Sequence, residues 1–280
     1  MNLLDPNEIP QLPKLSLAVV GHVEWMTFLR VDQLPRSGRI THAKWSLDEP
    51  AGGGAVIAVQ LARLIQQPVV FYTALGRDAI GEQSYRRLQD LGLKVEVSWR
   101  DQPTRRGISL VDSDGDRAIT VIGDRLQPEA SNDLPWDELA DFNAVFVTAA
   151  DAPALHKCRK ATLLLATPRV RLSNLQKAGV QLDALIGSGI DPDEQIDKEA
   201  LEPKPLLRIS TEGINGGECW PGGRYEAYSP STPAIDSYGC GDSFAAGVTA
   251  GLAAGWSLEE GISLGAHCGA ECSRHYGPYG

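Results

Sequence analysis

A carboxylate set among glycines just ahead of a helix can take a proton and hold a phosphate in one place. The stretch Asp236-Ser237-Tyr238-Gly239-Cys240-Gly241-Asp242 has that make-up and leads into the helix-like segment Ser243–Ala254. Glycine leaves backbone N–H groups open to a ligand because no Cβ stands in the way. At a helix N-terminus those groups lack partners and the dipole is positive, which favours a phosphate or a developing negative charge. Asp242 could be a base for a hydroxyl proton or simply a good N-cap, and the local sequence allows both. The dipole is expected to lower its pKa and keep it ionised at neutral pH.

A scaffold must hold such a residue in place. Leu15–Val20 is apolar on both faces and ends at Gly21, the pattern of a buried parallel strand. Similar runs recur at Val69–Tyr72, Ala144–Val147, Leu163–Ala166, Ala184–Ile186 and Leu206–Ile209. Helix-period segments lie between several of them: Ala55–Leu64, Ile80–Leu91 before Gly92, and Leu172–Ala178 before Gly179. The alternation predicts an α/β fold, a central, mostly parallel sheet with helices on both faces. A short β segment, Glu218–Tyr228, precedes the glycine-rich phrase, and Leu258–His275 reads as a final helix. Residues 1–14 read as a proline-punctuated tail, and residues 15–280 as one domain.

Two stretches break the rhythm. Val23–Trp45 and Gly107–Ile122 read as strands without intervening helices, the second folded at Ser113-Asp114-Gly115-Asp116. They predict a separate small sheet, a lid over the C-terminal edge of the main strands, where ligands of such folds bind. Unprotected edges of that lid would suit pairing with a second copy, hence a homodimer.

The phrase ending in Asp242 resembles the C-terminal signature of the ribokinase-like, or PfkB, carbohydrate kinases, Asp-Thr-x-Gly-Ala-Gly-Asp, with Ser237 for the Thr and Cys240 for the Ala. Four further elements resemble the family in the expected order: Gly52-Gly53-Gly54 before Ala55–Leu64, Gly76-Arg77-Asp78-Ala79-Ile80-Gly81, Gly115-Asp116-Arg117, and Thr211-Glu212-Gly213-Ile214-Asn215-Gly216. The resemblance implies transfer of the γ-phosphoryl group of ATP to a hydroxyl of a sugar or sugar-like molecule. It makes Asp242 the base and the amides of Gly239, Cys240 and Gly241 the anion hole. It places Thr211, Gly213 and Gly216 at the nucleotide, and Gly52 and Gly53 at the acceptor. It also implies Mg²⁺, held largely by phosphate and water, and a monovalent cation such as K⁺ as a further expectation.

The departures bear on the acceptor. The family's Asn in the first signature falls on Val56 or Ile57, and the acid expected near Met26 is missing, leaving Glu24 to hold substrate hydroxyls. Asp151 falls where some relatives place an acid on the sugar. The Asn-x-x-Glu near magnesium becomes Ser188-Gly189-Ile190-Asp191, with Asp191 as the remaining acid. His22 and Trp25 suit either a sugar ring or ordinary strand packing. Arg105-Arg106 reads as solvating a lid strand. A nucleoside kinase is the nearest alternative, and a catalytically idle sugar- or nucleotide-binding relative the alternative from another class.

Composition excludes other classes. The 280 residues carry a net charge of −10, which disfavours nucleic acid and membrane surfaces as partners. Hydrophobic residues make up 42% and charged residues 22%, as in a globular protein, and five Cys suggest free thiols in a reducing cytoplasm. Gly261-Ile262-Ser263-Leu264-Gly265 matches the nucleophile-elbow string but sits in a helix-like segment rather than a strand–turn–helix. Cys268, Cys272 and His275 share a helix face without a second ligand cluster, so packing explains them.

Overall fold

The computed structural model describes residues 1–197, 199–229 and 232–280. Each both-face apolar run is a strand: β1 (Leu17–Val20), with β2 (Glu24–Arg30) and β3 (Trp45–Ala51) following it and leading into helix α1 (Gly53–Ile65). Then come β4 (Val69–Gly76), α2 (Ala79–Asp90), β5 (Leu93–Arg100), β6 (Arg106–Val111), β7 (Arg117–Ile122), β8 (Ala144–Val147), α3 (Ala152–Cys158), β9 (Leu163–Ala166) and α4 (Leu172–Ala178). The last third holds β10 (Ala184–Ser188), β11 (Leu207–Thr211), β12 (Gly217–Trp220), β13 (Gly223–Tyr225), α5 (Cys240–Ala253) and α6 (Leu258–Cys272).

Nine strands form one sheet in the order β13-β12-β11-β10-β9-β8-β1-β4-β5. Only β12 and β13 run antiparallel to their neighbours. Alternate side chains of one strand enter different layers: Val19 packs with α1, α5 and α6, and Val20 with α3 and α4. That two-sided burial is why these strands read as unbroken apolar runs. β5 was not expected. Lys94 and Glu96 interrupt its apolar residues, as suits an edge strand.

The small sheet exists, in the order β3-β2-β6-β7. Its boundaries differ from the expectation at one place. Val23–Trp45 is not continuous β: residues 31–44 form no strand, and the second strand is Trp45–Ala51. Pro35 and Gly38, the latter at φ 73, break the run. The β6–β7 turn forms as expected: Asp112 Oδ1 accepts from Asp114 N at 3.0 Å and Asp116 N at 2.9 Å, and Gly115 sits at φ 85. The sheet packs Met26 and Phe28 onto Val56 and Tyr238, so it rests on α1 and on the glycine-rich phrase.

The segment read as a tail is held down. Leu3, Ile9 and Leu12 pack on the core, and Leu4 N donates to Ser263 Oγ at 3.0 Å. Helices α5 and α6 cross closely: a methyl on Gly247 would lie 2.7 Å from Gly265 Cα, and one on Gly251 2.7 Å from Gly261 Cα. The Gly-x-Ser-x-Gly string is therefore a helix-crossing surface, with no strand–turn–helix around it.

Candidate active site

Helix α5 begins at Cys240, and its N-cap is Gly239 at φ 81, a left-handed conformation that suits glycine. Asp242 stands three residues past the cap and caps nothing. The N-cap explanation of this residue is thereby removed. Among the described residues, the N–H groups of Gly239, Gly241 and Asp242 have no hydrogen-bond partner, while Cys240 N makes a long 3.4 Å contact to Ser237 O. The donors at this helix start are thus Gly239, Gly241 and Asp242. The Cys240 amide is partly engaged, and its side chain turns away, with Sγ 3.9 Å from Asp236 O.

Asp236 fixes the phrase. It is buried, accepts from Tyr238 N at 2.9 Å through Oδ1 and from Gly277 N at 3.0 Å through Oδ2. Tyr238 in turn accepts from Gly52 N at 3.1 Å. This bond fastens the glycine-rich phrase to the start of α1. Gly52 has φ 84, so the Gly52–Gly53 corner needs glycine on conformational grounds as well. A β-carbon on Gly53 would stand 3.0 Å from Asp242 Oδ1 and 3.8 Å from His22 Cε1. The carboxylate, the bare glycine and the imidazole therefore face one small volume.

His22 is buried, with Nδ1 3.4 Å from Thr148 Oγ1 and Nε2 3.7 Å from Glu24 Oε1. Burial first, then Arg125, Arg105 and Arg169, push its pKa well down, so the ring is neutral. Glu24 Oε1 lies 3.1 Å from Arg105 Nε. Arg105 does not solvate the lid: its side chain is 16% exposed. Asp78 holds the segment before it, accepting from Gly81 N and Thr104 N at 2.7 Å each. Burial opposes ionisation of Asp78, but these hydrogen bonds hold its carboxyl below the ordinary value.

A cleft of about 370 Å³ opens beside this volume, lined by Asp242, Gly239, Gly241, Thr211, Gly213 and Arg117 among others. Asp242 is half-buried at its wall. Burial pushes the carboxyl up to about 6, with Arg169 pulling it down and Glu194 and Glu24 adding to the rise. The expected lowering by the helix start is therefore corrected: loss of water outweighs the dipole. Arg169 and Glu194 were not singled out in the sequence. Arg169 Nε donates to buried Glu194 Oε1, and its Nη2 lies 3.1 Å from Asp191 Oδ2. Burial lowers the Arg169 pKa, but Glu194 and Asp242 more than offset it, and the net shift is upward.

Asp151, Asp191, Gly216 and Trp25 have structural roles of their own, and of these four Asp191 alone lines the cleft. Asp151 caps α3: its Oδ1 accepts from Ala154 N at 3.1 Å and Ala130 N at 3.0 Å. Asp191 accepts from Asp193 N at 3.0 Å and pairs with Arg169. No group of three or more His, Cys, Asp or Glu among the described residues could hold a metal ion. Gly216, at φ 76, closes the turn after β11, and any side chain there would strike the Tyr225 carbonyl. Trp25 is buried as strand packing.

The model of the pfkB family carbohydrate kinases matches residues 14–191 and 207–280. The chain belongs to the pfkB family of carbohydrate kinases. Membership makes this pfkB chain a phosphotransferase with an alcohol acceptor. It is 29% identical to fructoselysine 6-kinase of Escherichia coli over 247 residues, 82% of this chain and 92% of that one. The structure of Arabidopsis thaliana ribokinase complexed with ribose and ATP superposes with a TM-score of 0.74 at 19% identity, over 95% of this chain and 94% of the other. Adenosine kinase of Sinorhizobium meliloti gives 0.74 at 17%, over 95% and 96%. The ribokinase-like fold is shown, and it serves sugar and nucleoside kinases alike. No helix among the described residues is long and apolar enough to cross a membrane.

Proposed function

We propose that this pfkB chain transfers the γ-phosphoryl group of ATP to a hydroxyl of a sugar or sugar derivative, with Asp242 as the base. The observation that carries this reading is the meeting of the Asp242 carboxylate with bare Gly53 on one side and three unpartnered amides on the other. An acceptor hydroxyl above Gly53 would give its proton to Asp242 Oδ1. Its oxygen would attack the γ-phosphorus, and the bond from phosphorus to the bridging oxygen of ADP would break. Amides of Gly239, Gly241 and Asp242 would receive the charge that gathers on the phosphoryl oxygens, and they need no reorganisation to do so. A carboxyl raised to about 6 is a stronger base than an ordinary one and is still ionised above neutrality. Thr211 and Gly213 would contact the nucleotide, and Glu24, steadied by Arg105, the substrate hydroxyls.

Among the described residues no group of three or more His, Cys, Asp or Glu could hold magnesium by protein ligands alone, so the nucleotide's phosphates and water would hold it. The remaining acids of the cleft, Asp191 and Glu194, are paired with Arg169. A homodimer through the lid belongs to this reading, supported by Ile119, Val121 and Ile122, each 44% exposed on β7; sedimentation tests it. The function is tested by ADP production over a panel of sugars, including ribose and fructoselysine, and nucleosides. Turnover on a sugar supports it, turnover on nucleosides alone replaces it, and none at all leaves the idle reading.

A further inference from the structure

Six arginines line the cleft or the cavity next to it, and four of them have an acid partner. Arg169 pairs with Glu194 and Asp191, Arg117 lies 3.9 Å from Asp236, Arg77 3.9 Å from Asp101 and Arg100 3.7 Å from Glu129. Among the described residues Arg125 and Arg171 have none. Both face a cavity of about 560 Å³, together with Gln102 and Gln127. Asp101, Asp124 and Glu129 also line it; Asp101 and Glu129 pair with Arg77 and Arg100, and Asp124 pairs with neither free cation, so four arginines meet three acids.

The cavity adjoins the acceptor volume. Arg125, on its wall, lies within charge range of Glu24 and Arg105. Arg125 Nη1 donates to the Arg169 carbonyl at 2.7 Å, which ties Arg125 to the wall of the cleft. Its Nε is buried without an acceptor. Burial, with Arg105, Arg171 and Arg169 nearby, holds its guanidinium below the ordinary value, and Glu24 only partly opposes them. Among the described residues Arg171 is one of two non-glycine residues with positive φ, at 79, in the turn that opens α4. Backbone strain of this kind gathers at functional sites.

We propose that the acceptor carries an anionic group in addition to its reacting hydroxyl, a carboxylate or a phosphate, received by Arg125 and Arg171 in the cavity beside Glu24. This inference rests on the kinase reading for the position of the hydroxyl. The anion neutralises the two free guanidiniums, and the fork of an arginine suits a two-oxygen group. A neutral sugar leaves both charges uncompensated, Arg125 with its Nε buried, and so binds less well.

Calorimetry on the full chain tests the subsite without relying on turnover. D-Gluconate is the carboxylate probe, fructose 6-phosphate the phosphate probe, and D-fructose the neutral control, each titrated with ADP present. At least one anionic probe should bind 10-fold or more tighter than fructose, with the gap narrowing as salt rises. Which probe wins distinguishes carboxylate from phosphate. Arg171→Gln, an exposed change, and Arg125→Gln should each cut the anionic preference roughly 10–100-fold, and Arg125→Lys should restore part of it. Fructose binding as well as both anions, or a preference that survives both variants, overturns the proposal. ADP assays with the same acceptors separate the two readings: selective anion binding without turnover on any acceptor defeats the kinase reading and leaves the subsite standing.

Discussion

Asp242 Oδ1 lies 3.0 Å from the point where a side chain on Gly53 would begin. One residue belongs to α5 and the other to α1, 189 positions apart in sequence (242 − 53). A methyl on Gly53 would therefore press on the carboxylate at a tighter than ordinary contact. Gly53→Ala is expected to lower kcat roughly 10-fold or more by displacing the carboxylate or the hydroxyl about 1 Å from attack geometry. Steady-state kinetics with an unchanged melting temperature is the check; a kcat equal to wild type contradicts the arrangement.

Asp242→Asn keeps the shape and removes the proton acceptor. Turnover should fall roughly 10²–10⁴-fold while ATP still binds. Stability should move the other way. The folded pKa lies above the unfolded one, so the fold binds the proton more tightly and ionisation costs stability as pH rises from about 4 to about 6. At pH 8 the Asn variant should be more stable by about 1–3 kcal/mol, allowing for the partial exposure of the group. Below pH 4 the difference should vanish. Melting curves of both proteins at pH 4 and pH 8 decide it.

The same group sets the pH dependence of catalysis. Because Asp242 must be unprotonated to act, kcat/KM should fall on the acid side with an apparent pKa near 6 rather than near 4. A profile flat down to pH 5 would falsify the base assignment.

Glu24→Gln should raise the acceptor KM roughly 10-fold and leave ATP affinity alone, because the carboxylate faces His22 and Arg105 rather than the nucleotide end of the cleft. Loss of ATP affinity with the acceptor KM intact would reverse the assignment of the two ends.

Much of this was legible in the chain. Parallel strands buried on both faces have no polar alternation to obscure them, so Leu17–Val20, Ala144–Val147 and their neighbours stood out. The phrase around Asp242 was legible through its resemblance to the family signature; its local sequence alone allowed a helix cap as well. What stayed hidden depends on distant partners. Arg169 follows a Thr-Pro pair and Glu194 sits in Pro-Asp-Glu, both ordinary loop sequence, and only folding sets one against the other. Asp236 was visible as an acid, but not as the anchor of Tyr238 and Gly277. Asp151 was read as an acid placed for the sugar, whereas its Oδ1 caps α3 through Ala154 N and also accepts from Ala130 N, 21 residues away. The sign of the Asp242 shift was missed because a dipole can be read from sequence and dehydration cannot.

The crossing of α5 and α6 through Gly247, Gly251, Gly261 and Gly265 bears on how damage to this enzyme would be recognised. The same helix carries Asp242 at its first turn, so its seating against α6 sets the aim of the carboxylate. A methyl added at Gly265 would meet Val248 Cγ2 at 2.7 Å and the Phe244 carbonyl at 2.8 Å, and the helix would have to slide. A screen for inactive variants should therefore return two clusters, one around the cleft and one along this crossing. Members of the second would touch no ligand, yet in an assay they would pass for catalytic mutants.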